Sequence, residues 1–125
     1  MIHLDTNYLI GLAVAGSPQA QRADQWLADG ESLAASALAW TEFLNGPVKP
    51  HEIALVQSII ERRIVAFDAA TAELAARLFN QTGRRRASRF DCLIAAAAIQ
   101  VHADFATENL GDFTPFAAHG LELAT

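Results

Sequence analysis

Short apolar segments alternate with helix-forming segments along the whole chain, and this alternation restricts the fold more than any other feature of the sequence. Five segments favour strands because they are short and rich in apolar or β-branched residues. They are residues 2–4, 32–36, 64–67, 104–107 and 121–123. Strands that alternate with helices form a parallel sheet with helices on both faces. The sequence therefore predicts an α/β fold around a parallel sheet.

Helical spacing fills the segments between these strands. Apolar residues recur there every three or four positions, and turn-forming residues end several of the segments. The predicted helices are residues 8–14, 18–29, 37–44, 51–62, 70–83 and 86–101. Neither an internal repeat nor a long linker interrupts this pattern, so we expect residues 1–125 to form a single domain.

The composition limits the function classes. Hydrophobic residues make up 52% of the 125 residues and charged residues 18%, which is typical of a folded domain rather than a disordered chain. The longest nearly unbroken apolar run, residues 92–101, is about half of the roughly 20 residues that cross a bilayer. No basic region precedes an apolar stretch at the start, and the single cysteine fits a reducing compartment. We therefore expect a cytoplasmic protein without a membrane span or a cysteine-rich zinc site.

The distribution of charge matters more than its sum. The net charge of −5 gives no overall attraction to nucleic acid, whose phosphates attract Lys and Arg. Four arginines nevertheless fall within six positions, at Arg84, Arg85, Arg86 and Arg89. Any contact with a polyanion is therefore expected to be local, beside Asp91.

Four acidic residues fall close to strand ends. Asp5 ends the first predicted strand, Glu42 lies in the helix after the second, and Asp112 lies in the loop after the fourth. Asp91 lies in the first turn of the helix that precedes the fourth strand. Because ligands bind outside the carboxyl ends of parallel strands, these four side chains are candidates for one shared site.

Each acid also has a purely structural explanation. Asp5 suits a helix cap, and Asp112 suits a turn. Glu42 can be an ordinary solvated helix residue, and Asp91 forms a capping-box pattern with Ser88. Only convergence of the four carboxylates in one place separates a functional site from these alternatives.

Converging carboxylates predict a hard cation. Neighbouring anions repel, and their pKa values rise unless a cation joins them. Mg²⁺ and Mn²⁺ prefer oxygen ligands, whereas zinc sites are typically built from Cys and His. The four histidines show no close ligand spacing, so we interpret them as structural or surface residues. The sequence therefore favours Mg²⁺ or Mn²⁺ over zinc.

Four motifs together resemble a PIN domain, and most closely the VapC-type toxins of bacterial toxin–antitoxin pairs. They are the opening residues 2–7, the Thr-Glu-Phe segment 41–43, the Asp-Cys-Leu-Ile-Ala-Ala segment 91–96, and the Thr-x-Asn-x-x-Asp-Phe pattern 107–113. The motifs occur in the order of the family, and the resemblance spans the whole chain. The third and fourth motifs are the most specific. His3 departs from the family, whose first strand is usually apolar.

The resemblance implies a Mg²⁺- or Mn²⁺-dependent endoribonuclease that a cognate antitoxin holds inactive. It also implies a three-layer α/β/α sandwich and commonly a homodimer. The residues that match the acidic metal-binding quartet of the family are Asp5, Glu42, Asp91 and Asp112. Those that match its supporting polar positions are Thr6, Thr107 and Asn109.

A hypothesis for the chemistry follows from the resemblance. Asp5, Asp91 and Asp112 hold one or two metal ions, and Glu42 orients the water that attacks an RNA phosphodiester. The four arginines are candidates for contacts with RNA phosphates. A solvated charge run, or contacts with the antitoxin or a second protomer, would equally explain them.

Partner contacts and rival functions remain open from the sequence. Trp26, Trp40, Phe43 and Leu44 are candidate antitoxin contacts, although core packing explains at least half of them. One rival function is a phosphatase with Asp5 as a covalent nucleophile, but such enzymes usually carry a second acid where this chain has Asn7. The other is a binding module for RNA or protein that keeps the fold and cuts nothing.

Overall fold

Five short parallel strands form the centre of the protein, whose computed structural model describes residues 1–125. They are β1 (Ile2–Leu4), β2 (Leu33–Ser36), β3 (Ile64–Val65), β4 (Asp104–Ala106) and β5 (Glu122–Leu123). Each strand pairs in parallel with its neighbours, in the order β3-β2-β1-β4-β5. This confirms the predicted parallel sheet.

Seven α-helices and two 3₁₀ turns connect the strands. The helices are α1 (Thr6–Leu12), α2 (Pro18–Ala28), α3 (Ala37–Asn45), α4 (Pro50–Ile59), α5 (Ala69–Gln81), α6 (Arg89–Gln100) and α7 (Leu110–Phe113). The 3₁₀ turns are Arg86–Ser88 and Thr114–His119. None of the helices is both long enough and apolar enough to cross a lipid bilayer.

Helices cover both faces of the sheet. Every residue of β1 and β2 is buried, and successive residues of a strand point to opposite faces, so neither face is open to solvent there. One apolar cluster of 25 buried residues joins the sheet to its helices. The arrangement is the expected α/β/α sandwich. Trp26 and Phe43 belong to this core, whereas Leu44 is exposed.

Several element boundaries differ from those predicted. Helix α1 begins at Thr6 rather than residue 8 because Asp5 caps it. Helix α4 ends before residue 62, since Glu61 and Arg62 both have positive φ angles of 50° and 58°. The predicted helix 86–101 is divided into a 3₁₀ turn and α6. The predicted capping box before α6 is wrong, because the Ser88 side chain caps nothing there.

The strand order places one crevice at the middle of the sheet. The chain runs outward from β1 to β2 and β3, then crosses back to β4 on the other side of β1. Leu4 pairs with Ala106, so the residues that follow β1 and β4 are neighbours at the carboxyl edge. Ligand sites of open α/β sheets lie at such a change of direction.

Candidate active site

Asp5 lies in this crevice, where β1 ends and α1 begins. Its backbone N–H donates to the Ala106 carbonyl oxygen at 2.9 Å, which joins the ends of β1 and β4. Its Oδ1 accepts the Thr6 N–H at 2.8 Å and so caps α1. Thr107 Oγ1 donates to Oδ2 at 2.7 Å, and Asn7 Nδ2 donates to the same oxygen at 3.4 Å. The helix cap and a place in the site are thus compatible.

Burial dominates the electrostatics of Asp5, whose exposed fraction is only 5%. Burial raises the pKa of Asp5, and the negative charges of Glu42 and Asp112 raise it further. Hydrogen bonds from Thr107 and Thr6 act in the opposite direction but do not reverse the net upward shift of this pKa. A nearby cation would therefore stabilise the ionised form of Asp5.

Glu42 reaches the same crevice from α3. This helix starts directly after β2, where Ser36 Oγ accepts the Ala39 N–H at 3.1 Å. Glu42 Oε1 accepts the Thr6 hydroxyl at 2.7 Å. The hydroxyl of Thr6 therefore fixes one oxygen of the Glu42 carboxylate, Oε1.

Asp91 lies in the first turn of α6 and is half-buried. Burial raises its pKa to about 6, together with the negative charges of Asp5, Asp112 and Glu42, in that order. Asp91 also lines one cleft with Asp5 and Glu42 and an adjoining cleft with Asp112. The structure thus brings the four predicted acids into one region.

The four carboxylates border two adjoining clefts that share Asp91. The first, which we call the acidic cleft, has a volume of about 260 Å³ and is lined by Asp5, Thr6, Asn7, Ile10, Glu42, Asp91 and Asn109. The second, the arginine cleft, has about 120 Å³ and is lined by Arg85, Ala87, Ser88, Asp91 and Asp112. Asp112 therefore lies beside the acidic cleft rather than in it, and on α7 rather than in the predicted loop.

Polar residues around Asp5 link the loop after β4 to the start of α1. The Asn109 N–H donates to Thr107 Oγ1 at 3.0 Å, so Thr107 joins Asn109 to Asp5. Asn7 Oδ1 accepts the Glu108 N–H at 3.2 Å. The resemblance to PIN domains implied a place near the site for Thr107 and Asn109, whereas Asn7 was not assigned to it. Its position in the first turn after Asp5 is the signal that would have included it.

One apolar residue of the acidic cleft was also missed. Ile10 is 50% exposed, although it is a large apolar side chain. It lies on α1 and lines the cleft. Its position depends on how α1 faces α3, which a local sequence pattern does not specify.

The donor groups of the acidic cleft fit Mg²⁺ or Mn²⁺. They are carboxylate, hydroxyl and amide oxygens, and no histidine lines the cleft. No three His, Cys, Asp or Glu side chains are close enough together to bind one ion by themselves. An ion held here would therefore complete its coordination with water or substrate oxygens, as Mg²⁺ usually does.

A larger cleft of about 400 Å³ lies between α5 and α6. Its walls are apolar except for Arg89, and it contains no acidic side chain. Cys92 lines it, but burial raises the pKa of the thiol, which keeps the thiol protonated. The acidic cleft is therefore the candidate active site.

The family of the chain is established by its sequence. Residues 2–113 match the family described as the PIN domain. Because this match covers most of the chain, the protein belongs to the PIN-domain family. A comparison with curated protein sequences gave no match.

Solved structures with the same fold cover almost the whole chain. VapBC2 from Rickettsia felis, bound to a DNA fragment from its promoter, aligns at 23% identity and a TM-score of 0.73 over 99% of this chain and 98% of that chain. FitAcB from Neisseria gonorrhoeae aligns at 24% identity and a TM-score of 0.70 over 99% of this chain and 97% of that chain. A toxin–antitoxin complex from Klebsiella pneumoniae aligns at 23% identity and a TM-score of 0.67 over 90% of each chain. At these identities the likeness concerns the fold.

Proposed function

We propose that this protein is a metal-dependent endoribonuclease of the VapC type, the toxin of a toxin–antitoxin pair. The observation that carries the proposal is the convergence of Asp5, Glu42 and Asp91 on one cleft of a PIN domain. The likeness in fold to a toxin–antitoxin complex from Klebsiella pneumoniae supports the proposed role as the toxin of such a pair.

The proposed roles combine the resemblance to PIN domains with the contacts of Asp5 and Glu42. Asp5, Asp91 and Asp112 would hold one or two Mg²⁺ or Mn²⁺ ions, directly or through water. When bound, such an ion lowers the pKa of water and neutralises charge on a phosphodiester. Glu42 orients the attacking water through Oε2, because the Thr6 hydroxyl already occupies Oε1. Thr107 keeps Asp5 oriented through its hydrogen bond to Oδ2.

The partners in this proposal are RNA, a cognate antitoxin and a second copy of the chain, all in the cytoplasm. The antitoxin would keep RNA from the acidic cleft. Co-expression with its neighbouring gene, followed by purification and mass measurement, would reveal the antitoxin and the number of copies.

Cleavage of RNA by the purified chain tests the central claim. We expect cleavage with Mg²⁺ or Mn²⁺, none in EDTA, and loss of cleavage in Asp5→Asn and Asp91→Asn. Asp24→Asn is the matched control, since Asp24 is an exposed acid on α2 and lines neither cleft. Mapping the new 5′ ends would then identify the cleaved bonds.

Other outcomes would favour the rival functions. RNA binding without cleavage under any of these conditions would support a binding module. A trapped phosphate ester on Asp5 would support a phosphatase. Equal activity of Asp5→Asn and Asp24→Asn would remove the acidic cleft from the mechanism.

A further inference from the structure

The arginine segment, residues 84–89, is held against α5 by two of its cations. The guanidinium groups of Arg84 and Arg89 each lie 5.4 Å from the centre of the Phe79 ring. At this distance a cation and an aromatic face attract each other. Arg84 also donates to the Asn80 side chain. These two arginines therefore already have partners within the protein.

The backbone at Arg85 is fixed from both sides. Gly83 and Arg84 have positive φ angles of 92° and 56°, which turn the chain back after α5. The N–H and the hydroxyl of Ser88 both donate to the Arg85 carbonyl oxygen, at 3.0 and 2.8 Å. The exposed Arg85 side chain thus extends from an anchored main chain.

Arg85 faces carboxylates without being neutralised by them. Arg85 lines the arginine cleft together with Asp91 and Asp112. The ion pairs of the structure involve other residues, and none includes an arginine of this segment. Arg86 lines neither cleft, although it carries the same charge. Arg85 is therefore the cation of the segment that is open to an anion arriving at the carboxylates.

We propose that Arg85 binds a phosphate of the RNA backbone beside the acidic cleft, while Arg84 and Arg89 position the segment that carries it. This inference rests on the proposed nuclease function and identifies how the site accepts its substrate. The chain has a net charge of −5, so a phosphate is repelled unless a cation meets it at the cleft. A guanidinium group suits this contact because it binds phosphate oxygens in pairs.

RNA binding in the Asp5→Asn background tests the inference without cleavage. A labelled single-stranded RNA is titrated over a range of salt concentrations. We expect Arg85→Ala to raise Kd about tenfold, the loss typical of a hydrogen bond to a charged group. The slope of log Kd against log salt concentration, which we call the salt slope, should fall by about 0.7, the value for one phosphate contact on a single strand. Arg85→Lys should restore the salt slope more fully than Kd.

A matched control separates the phosphate contact from general charge. Arg77→Ala removes one exposed positive charge from α5, outside both clefts. We expect its Kd to change by less than about twofold, because salt screens distant surface charges. Arg84→Ala should lower the melting temperature more than Arg85→Ala. Equal losses of affinity in Arg77→Ala and Arg85→Ala, or none in Arg85→Ala, would overturn the inference.

Cleavage by the chain with its native acids distinguishes this inference from the proposed function. If that chain cuts RNA and Arg85→Ala cuts with an unchanged KM, the inference fails and the nuclease function stands. If it cuts no RNA but Arg85→Ala still weakens binding, the nuclease function fails and the phosphate contact stands.

Discussion

Asp5 accepts hydrogen bonds from α1 and from the loop after β4 while burial opposes its charge. The Thr6 amide and the Thr107 hydroxyl favour the ionised carboxylate. Burial and two neighbouring acids favour the protonated form, and the pKa of Asp5 is raised as a result. The hydrogen bonds therefore keep the side chain oriented at a place where its charge is costly. A bound cation would relieve this conflict.

Thr107→Val tests the contribution of the hydroxyl to that orientation. Valine keeps the shape but leaves Oδ2 of the buried Asp5 without its shortest hydrogen bond. Loss of a partner by a buried acceptor costs about 1–3 kcal/mol, so the free energy of unfolding at pH 7 should fall by that amount. Urea denaturation measures it, with Thr107→Ser as the control that keeps the hydroxyl. Equal stability of the two variants would show that this bond does not support Asp5.

Asp91→Asn should stabilise the metal-free protein at neutral pH. The folded pKa of Asp91 is about 6, above its ordinary value of 3.8, so the folded state binds the extra proton between these pH values. Stability is thus highest when the carboxyl is protonated and is lost as pH rises through about 6. Asparagine avoids this loss, which we expect to be about 1 kcal/mol because solvent screens the half-buried group.

Melting temperatures in EDTA at pH 5 and pH 7.5 measure this effect. The variant should melt a few degrees higher than the parent at pH 7.5, and the difference should shrink at pH 5. Added Mg²⁺ should raise the melting temperature of the parent more than that of the variant. A variant that melts lower than the parent at pH 7.5 would contradict the expected repulsion.

At the scale of elements, the contact between α1 and α2 depends on one missing side chain. A Cβ atom at Gly11 would lie 2.5 Å from Gln19 Cβ and 2.7 Å from its Cγ. Gln19 in turn donates to the Glu108 side chain at 3.2 Å, in the loop that leads to Asn109. The close approach at Gly11 therefore connects the packing of two helices to the loop beside the site.

Gly11→Ala should destabilise the protein although alanine is the better helix former. Alanine gains about 1 kcal/mol of helix propensity over glycine. The Cβ of Gln19 cannot rotate away, so α1 and α2 must separate, and such overpacking costs about 1–3 kcal/mol. We expect a net loss of about 1 kcal/mol, measured by urea denaturation. Gly111→Ala is the control, since nothing lies within 4 Å of a Cβ there, and equal stability of the two variants would refute the argument.

The elements that the sequence predicted well are those with repeated local signals. The five strands and the longer helices follow from apolar spacing and turn residues, and their existence is confirmed. The division of segment 86–101 into a 3₁₀ turn and α6 was not predicted, because the segment contains no glycine or proline to mark it. The end of α4 was not predicted either, since non-glycine residues seldom take the left-handed angles of Glu61 and Arg62.

For the molecule as a whole, strand order decides what the sequence can say about the site. Asp5, Glu42 and Asp91 could be placed together because each lies near the carboxyl edge of a parallel sheet. The position of Asp112 in the adjoining cleft could not be predicted from the sequence, because it depends on the packing of α7. The absence of histidine from the acidic cleft agrees with the lack of ligand spacing in the sequence, and His3, interpreted as a structural or surface residue, is buried in the central strand.

His3 and Asp91 should give this protein two opposing responses to acid. His3 is 1% exposed and neither ring nitrogen has a hydrogen-bond partner. Burial and the nearby N-terminal amino group lower its pKa from 6.5 to about 4. The unfolded chain therefore binds this proton first, and stability is lost as pH falls from about 6.5 to about 4. Protonation of Asp91 acts in the opposite direction over an overlapping range.

His3→Leu should therefore change the shape of the stability profile, not only its height. Leucine removes the acid-dependent loss at His3, which is about 2–3 kcal/mol for a fully buried group. In EDTA the stability of His3→Leu should rise as the pH is lowered from 7 to 5. Protonation of Asp91 stabilises the folded protein over this range, and protonation of His3 no longer opposes it. Asp91→Asn should show the reverse, a steeper loss than the parent. Urea denaturation at four pH values between 4.5 and 7.5 measures how the free energy of unfolding depends on pH in the parent, His3→Leu and Asp91→Asn. Parallel profiles for the parent and both variants would mean that neither group controls the response to acid. A titratable group changes the pH dependence of stability only by binding protons differently in the folded and unfolded chain.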